Sequence, residues 1–128
     1  MSRILVVIPA YNEAENIERV VDNLIEGYPQ LDYVIINDGS RDNTGEICRR
    51  RGYKYIELPI NLGLEGAFRA GMKYAYYNGY DYAVQYDGDG QHNPEYIIPM
   101  SEYAGANDLD IVVGSRFIDE KKNKSMRP

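Results

Sequence analysis

The sequence predicts an α/β domain, a mostly parallel sheet flanked by helices on both faces. Three observations carry that prediction. Ile4–Pro9 is apolar without alternation, the pattern of a strand covered on both sides. Apolar residues at helical spacing follow it, and the strand-then-helix order recurs along the chain. The predicted strands end in polar loops, which gathers those loops at the carboxyl edge of the sheet, where open α/β folds bind ligands.

Taken in order, Ile4–Pro9 is the first strand, and Ile17, Val20, Val21, Leu24 and Ile25 trace a helix face that Gly27 stops. Tyr33–Asn37 is the second strand. The turn-rich loop Asp38–Thr44 follows, and Asn43 and Glu46 stand at capping-box spacing before a helix that runs to Arg51 and Gly52. Tyr53–Leu58 is a shorter third strand. Leu64, Ala67, Phe68, Gly71, Met72, Ala75 and Tyr76 form one apolar stripe ending at Gly79, and Gly71 is expected to let that helix approach the sheet closely. Tyr82–Asp87 is the fourth strand, Asn93-Pro94-Glu95 reads as a helix start, and Ile111–Gly114 is a fifth strand.

A chain of 128 residues, 44% hydrophobic and 27% charged, suffices for one core, so one domain over 1–118 is expected, with a frayed polar tail over 119–128. A formal charge of -6 argues against a nucleic-acid partner, whose phosphates need clustered Lys and Arg. Ile4–Ala10 is too short to span a bilayer. The single Cys48 forms no internal disulfide, which fits a reducing cytoplasm and equally a secreted chain without bridges; its place in a helix marks it as core filler.

The chemistry is expected at Asp87-Gly-Asp-Gly90, where a buried strand runs into two carboxylates. Asp87 and Asp89 start on one face of the strand, and the glycines permit the turn that brings them together. Beside a diphosphate, each carboxylate within ~4 Å of a phosphate charge costs roughly 4 kcal/mol at an effective dielectric of 20, so a bridging cation is required. Hard oxygen ligands suit Mg2+ or Mn2+. Asp-Gly is also a hairpin dipeptide, but the helix start after it argues against a hairpin, and the spacing fails that of an EF-hand calcium loop. Asp38 ends a strand and either accepts hydrogen bonds from a nucleoside or forms a turn or helix cap. Glu13 is either a site residue or a first-turn helix residue, and Arg116 either meets phosphate or makes a surface ion pair. His92 is a possible ligand, acid or surface residue. Asn61-Leu-Gly63 with Gly66 lacks the spacing of a dinucleotide loop, which excludes NAD on that basis.

Ile8-Pro-Ala-Tyr-Asn-Glu13, Asn37-Asp-Gly-Ser-Arg-Asp-Asn-Thr44, Asn61-Leu-Gly63, Asp87-Gly-Asp-Gly-Gln-His92 and Val113-Gly-Ser-Arg116 occur in this order. Together they resemble family 2 glycosyltransferases of the GT-A fold, with its Rossmann-like nucleotide-binding half, over essentially the whole chain. The subgroup most similar is the polyprenol-phosphate sugar synthases, such as dolichol-phosphate mannose synthase. The resemblance implies an inverting transfer from a nucleotide-diphosphate sugar, GDP- or UDP-linked. It also implies a polyprenol phosphate or a glycan hydroxyl as acceptor and a place in the cytoplasm, peripheral to the membrane. On that pattern Pro9, Tyr11, Glu13, Asp38 and Asp87 bind the donor. Asp87, Asp89 and Gln91 hold the metal, and Asp89 and Arg116 act in catalysis. Relatives continue into acceptor-binding helices, so the chain is expected to be a truncated, donor-binding part that transfers sugar poorly by itself. A catalytically silent nucleotide-sugar-binding module is the rival expectation.

Overall fold

The computed structural model describes residues 3–86 and 96–101. Its elements are β1 (Ile4–Ala10), α1 (Ile17–Gly27), β2 (Asp32–Asp38), α2 (Thr44–Arg51), β3 (Tyr55–Leu58), α3 (Gly63–Tyr77), β4 (Tyr82–Gln85) and β5 (Tyr96–Pro99). The sheet order is β3-β2-β1-β4-β5. The first four strands are parallel, as expected for a mostly parallel sheet, and β5 pairs antiparallel with β4.

β1 is covered on both faces because alternate residues serve different cores. Val6, Ile8 and Ala10 pack with Ile17, Val20 and Val21 of α1 and Ile47 and Cys48 of α2. Leu5 and Val7 pack with Ala67, Phe68 and Met72 of α3. The sheet grows from β1 through β2 to β3 with α1 and α2 on one face. It then reverses, β4 docks on the other side of β1, and α3 lies on the opposite face. A constant crossover hand requires this change of face when the direction of growth changes. The reversal beside β1 creates a crevice between strand ends, the place where such folds take their ligands.

The stripe on α3 has the expected phase but a different extent. Ala67, Phe68, Gly71, Met72 and Ala75 are buried, whereas Leu64 is 60% exposed and Tyr76 is 42% exposed. Ile25 likewise falls outside the buried set of α1. Gly71 does bring α3 close: a Cβ there would lie 2.3 Å from Cγ1 of Val7.

Three local expectations are corrected. Gly27 is the last residue of α1, and the N–H of Tyr28 closes the helix on the carbonyl of Leu24. The capping box at Asn43 does not form, its side chain making no cap hydrogen bond; at this helix start Asp42 accepts the N–H of Thr44 at 2.9 Å. The segment after Asn93-Pro94-Glu95 is strand β5, antiparallel to β4, rather than the helix expected. Tyr96, Ile97 and Ile98 favour a strand, and among the described strands β5 is outermost, a position that accommodates the missing N–H of Pro99. The expected fifth strand at Ile111–Gly114 and the tail at 119–128 lie outside the described residues. Among the described residues no helix is long and apolar enough to cross a membrane.

Gly71→Ala tests the packing. Helix propensity favours Ala by up to ~1 kcal/mol, but the clash with Val7 makes the variant less stable than wild type by ~1–3 kcal/mol. Urea denaturation reads the difference, and adding Val7→Ala yields a double mutant less destabilised than the sum of the two single changes. A Gly71→Ala protein as stable as wild type contradicts the close approach.

Candidate functional site

The carboxyl edge of the sheet is built by three loops that hold one another. The β1–α1 and β2–α2 loops are joined by side chains that accept backbone N–H bonds. The N–H of Asn12 donates to Oγ of Ser40 at 2.9 Å, that of Glu13 to Oγ1 of Thr44 at 2.9 Å, and that of Ala14 to Oδ2 of Asp42 at 3.2 Å. In return the N–H of Arg41 donates to Oδ1 of Asn12 at 2.8 Å. Glu13 also begins the turn into α1, its carbonyl accepting the N–H groups of Asn16 and Ile17.

The third loop is held by Asp38, which is only 2% exposed. Its Oδ1 accepts the N–H of Leu62 at 2.7 Å; its Oδ2 accepts the N–H of Gly63 at 2.9 Å and the Nδ2 of Asn61 at 3.0 Å. The same Nδ2 donates to the Asp38 carbonyl at 3.1 Å. These are the first N–H groups of α3, which a helix cannot satisfy by itself and whose dipole favours a negative charge. Asp38 therefore realises its helix-cap alternative while facing the site. Gly39 makes the contact possible: its φ is +67°, and a Cβ there would lie 2.5 Å from the backbone N of Asn61.

The three loops enclose a cleft of ≈ 330 Å³ lined by Pro9, Ala10, Tyr11, Glu13, Asp38, Asn61, Gly63 and Leu64. Pro9, Tyr11, Glu13 and Asp38 are thus brought together as the sequence led us to expect. Asp87, Asp89, Gln91, His92 and Arg116 lie outside the described residues. Asn61, Leu64 and Asn12 were not singled out beforehand as site residues. Asn61-Leu-Gly63 could have been, since it follows the third strand at the same edge of the sheet, and Leu64 opens a stripe that outruns a short strand.

Among the described residues no Lys or Arg lines the cleft. Glu13, Asp38 and the Oδ1 of Asn61 offer acceptors, and Nδ2 of Asn61 is already engaged with Asp38. Such a lining suits the N–H and O–H donors of a nucleobase or ribose and repels phosphate. Among the described residues no group of three His, Cys, Asp or Glu side chains gathers around a possible metal position.

This is a Rossmann-like α/β domain with a polar cleft at the carboxyl edge of its parallel strands. By sequence the chain belongs to glycosyl transferase family 2, whose profile matches residues 5–128. The undecaprenyl-phosphate mannosyltransferase of Micrococcus luteus is 33% identical over 121 residues, covering 91% of this chain and 49% of that protein. The UDP-N-acetylglucosamine–dolichyl-phosphate N-acetylglucosaminyltransferase of Methanococcus voltae is 35% identical over 140 residues, covering 96% of this chain and 55% of that protein. Among solved structures, a mannosyltransferase from Pyrobaculum calidifontis in complex with GDP-Man and Mn2+ superposes with a TM-score of 0.61 at 29% identity. The match covers 68% of this chain and 27% of that one. The family expected from the five motifs and the GT-A fold are both found. The chain spans about half the length of these two sequence relatives.

Asp42 supplies a pH test of the loop staple. Burial acts to raise its pKa, but hydrogen bonds from the hydroxyl and N–H of Thr44 and the N–H of Ala14 outweigh it and hold the carboxyl below its ordinary value of 3.8. A folded pKa below the unfolded one means that the unfolded chain binds the proton first, so this stabilisation is present above the unfolded value and is lost as pH falls through the folded one. Asp42→Asn lacks that component, so its stability, followed by thermal unfolding, falls less steeply than that of wild type as the pH drops through and below 3.8. Parallel profiles for the two proteins contradict the staple.

Proposed function

We propose that this chain is the donor-binding part of a metal-dependent, inverting glycosyltransferase that takes a sugar from a GDP- or UDP-sugar and delivers it to a polyprenol phosphate at the cytoplasmic face of a membrane. The observation that carries the reading is the cleft of Pro9, Tyr11, Glu13 and Asp38 at the carboxyl edge of a family 2 chain. Its acceptors match the hydrogen-bond donors of a nucleoside, and no cation among the described lining residues favours the diphosphate there. The Micrococcus and Methanococcus relatives are named for transfer to undecaprenyl and dolichyl phosphates, and the Pyrobaculum protein for GDP-Man and Mn2+, which supports the acceptor class, the donor class and the metal.

In this proposal Asp87, Asp89 and Gln91 hold Mg2+ or Mn2+; their hard oxygen donors suit either ion. When bound, the ion offsets the negative charge that develops on the departing diphosphate. Glu13 and Asp38 orient the nucleoside, Tyr11 and Leu64 flank it, and Arg116 faces phosphate oxygen with its planar fork. The acceptor's phosphate oxygen forms the new bond to the anomeric carbon from the face opposite the diphosphate, and the bond from that carbon to the diphosphate oxygen breaks. A phosphate monoester is already an anionic nucleophile, so no side chain has to remove a proton.

Two measurements test this reading. In a thermal-shift panel of UDP-, GDP- and dTDP-sugars with and without Mn2+, one donor at 100 times its dissociation constant adds about 2.7 kcal/mol of stability. The metal-supported share of that gain disappears in Asp89→Ala while the unliganded melting temperature stays near wild type. A radiolabelled-sugar assay with polyprenol phosphate then separates a transferase from a silent binding module. No stabilisation by any nucleotide sugar contradicts the donor site, and an Asp89→Ala response equal to wild type contradicts the metal role.

A further inference from the structure

We propose that Asn12 is a positioning residue for the donor cleft, locking the β1–α1 loop onto the β2–α2 loop so that Tyr11 and Glu13 hold the cleft wall; this rests on the nucleotide-binding reading above. Asn12 is an exposed residue with no place in the cleft lining. Yet it stands between two residues that do line it, Tyr11 and Glu13. It is also the non-glycine residue with positive φ among those described, at 54°. That angle turns the chain out of β1 and aims the next residue towards α1, and Asn tolerates it better than most side chains.

The side chain adds a second function to the angle. Oδ1 of Asn12 accepts the N–H of Arg41 at 2.8 Å and lies 3.4 Å from the N of Asp42, while the residue's own N–H donates to Oγ of Ser40 at 2.9 Å. Bonds therefore run in both directions between two loops separated by about thirty residues in sequence. The following residues, Glu13 and Ala14, continue the seam through Thr44 and Asp42. Without the Asn12 bonds the seam keeps only the Glu13–Thr44 and Ala14–Asp42 bonds on its α1 side, next to Tyr11 in sequence. A residue that needs both a left-handed backbone and a short side-chain acceptor has few replacements: Gly keeps the first, Ala keeps neither, and Asp keeps both.

The experiment compares Asn12→Gly, Asn12→Ala and Asn12→Asp by calorimetric titration with UDP and GDP in the absence of metal, below the melting transition. Amide exchange at Arg41 is followed in the same proteins. The Gly and Ala variants are expected to bind the preferred nucleotide about tenfold more weakly and to exchange the Arg41 amide faster, with Asn12→Asp close to wild type in both readouts. A purely structural role would lower the melting temperature and leave the affinity of the folded protein unchanged. Wild-type affinity in Asn12→Gly, or unchanged Arg41 exchange, overturns the proposal while the donor reading stands. A wild-type protein that binds neither nucleotide removes the donor reading and this inference with it, whereas the exchange data still report whether Asn12 joins the loops.

Discussion

The carboxylate of Asp38 is the interaction on which the carboxyl edge of this fold depends. It ends β2, is almost wholly buried, and accepts hydrogen bonds from Asn61, Leu62 and Gly63. One buried charge thereby caps α3, fixes the β3–α3 loop and places Leu64 over the cleft. A buried carboxylate is costly without donors, and here the unsatisfied N–H groups of a helix start supply them. Gly39 follows from the same contact, because the two backbones meet where any side chain would stand.

Charge then divides the site. The described cleft is rich in acceptors, with the Glu13 carboxylate among them, so it suits the hydrogen-bond donors of a base or ribose and is a poor place for phosphate. In a chain of net charge -6, any diphosphate must find its compensation locally. In the proposed reading a divalent ion and Arg116 provide it. The fold gives the crevice its geometry: the sheet reverses beside β1, and β4, parallel to β1, ends at the same edge.

Much of this architecture was legible because periodicity reports directly on burial. The unbroken apolar run of β1 predicted a strand covered on both faces, and the stripe on α3 predicted the buried positions Ala67, Phe68, Met72 and Ala75. A stripe gives phase but not the length of the sheet beneath it, which is why Leu64 was expected in the core and stands at the cleft. Asn93-Pro94 carries a helix-start signal, yet the β-branched and aromatic Tyr96, Ile97 and Ile98 follow as a strand paired with β4. The cleft residues Tyr11, Glu13 and Asp38 were legible from their places at strand ends, and Pro9 from the family resemblance. The links from Asn12 to Arg41 and from Asp38 to Leu62 were not, since they join residues 29 and 24 positions apart whose meeting depends on strand order and register.

Asp38→Asn tests most directly whether one buried carboxylate organises the nucleoside end of the cleft. The substitution keeps the shape of the side chain but turns an N–H2 group towards the donors of residues 61 to 63. Native-state amide exchange at Leu62 and Gly63, measured together with metal-free nucleotide affinity, should show both amides losing protection and the affinity falling by about tenfold or more. Retained protection of both amides, or undiminished affinity once they are released, would contradict the central role of Asp38.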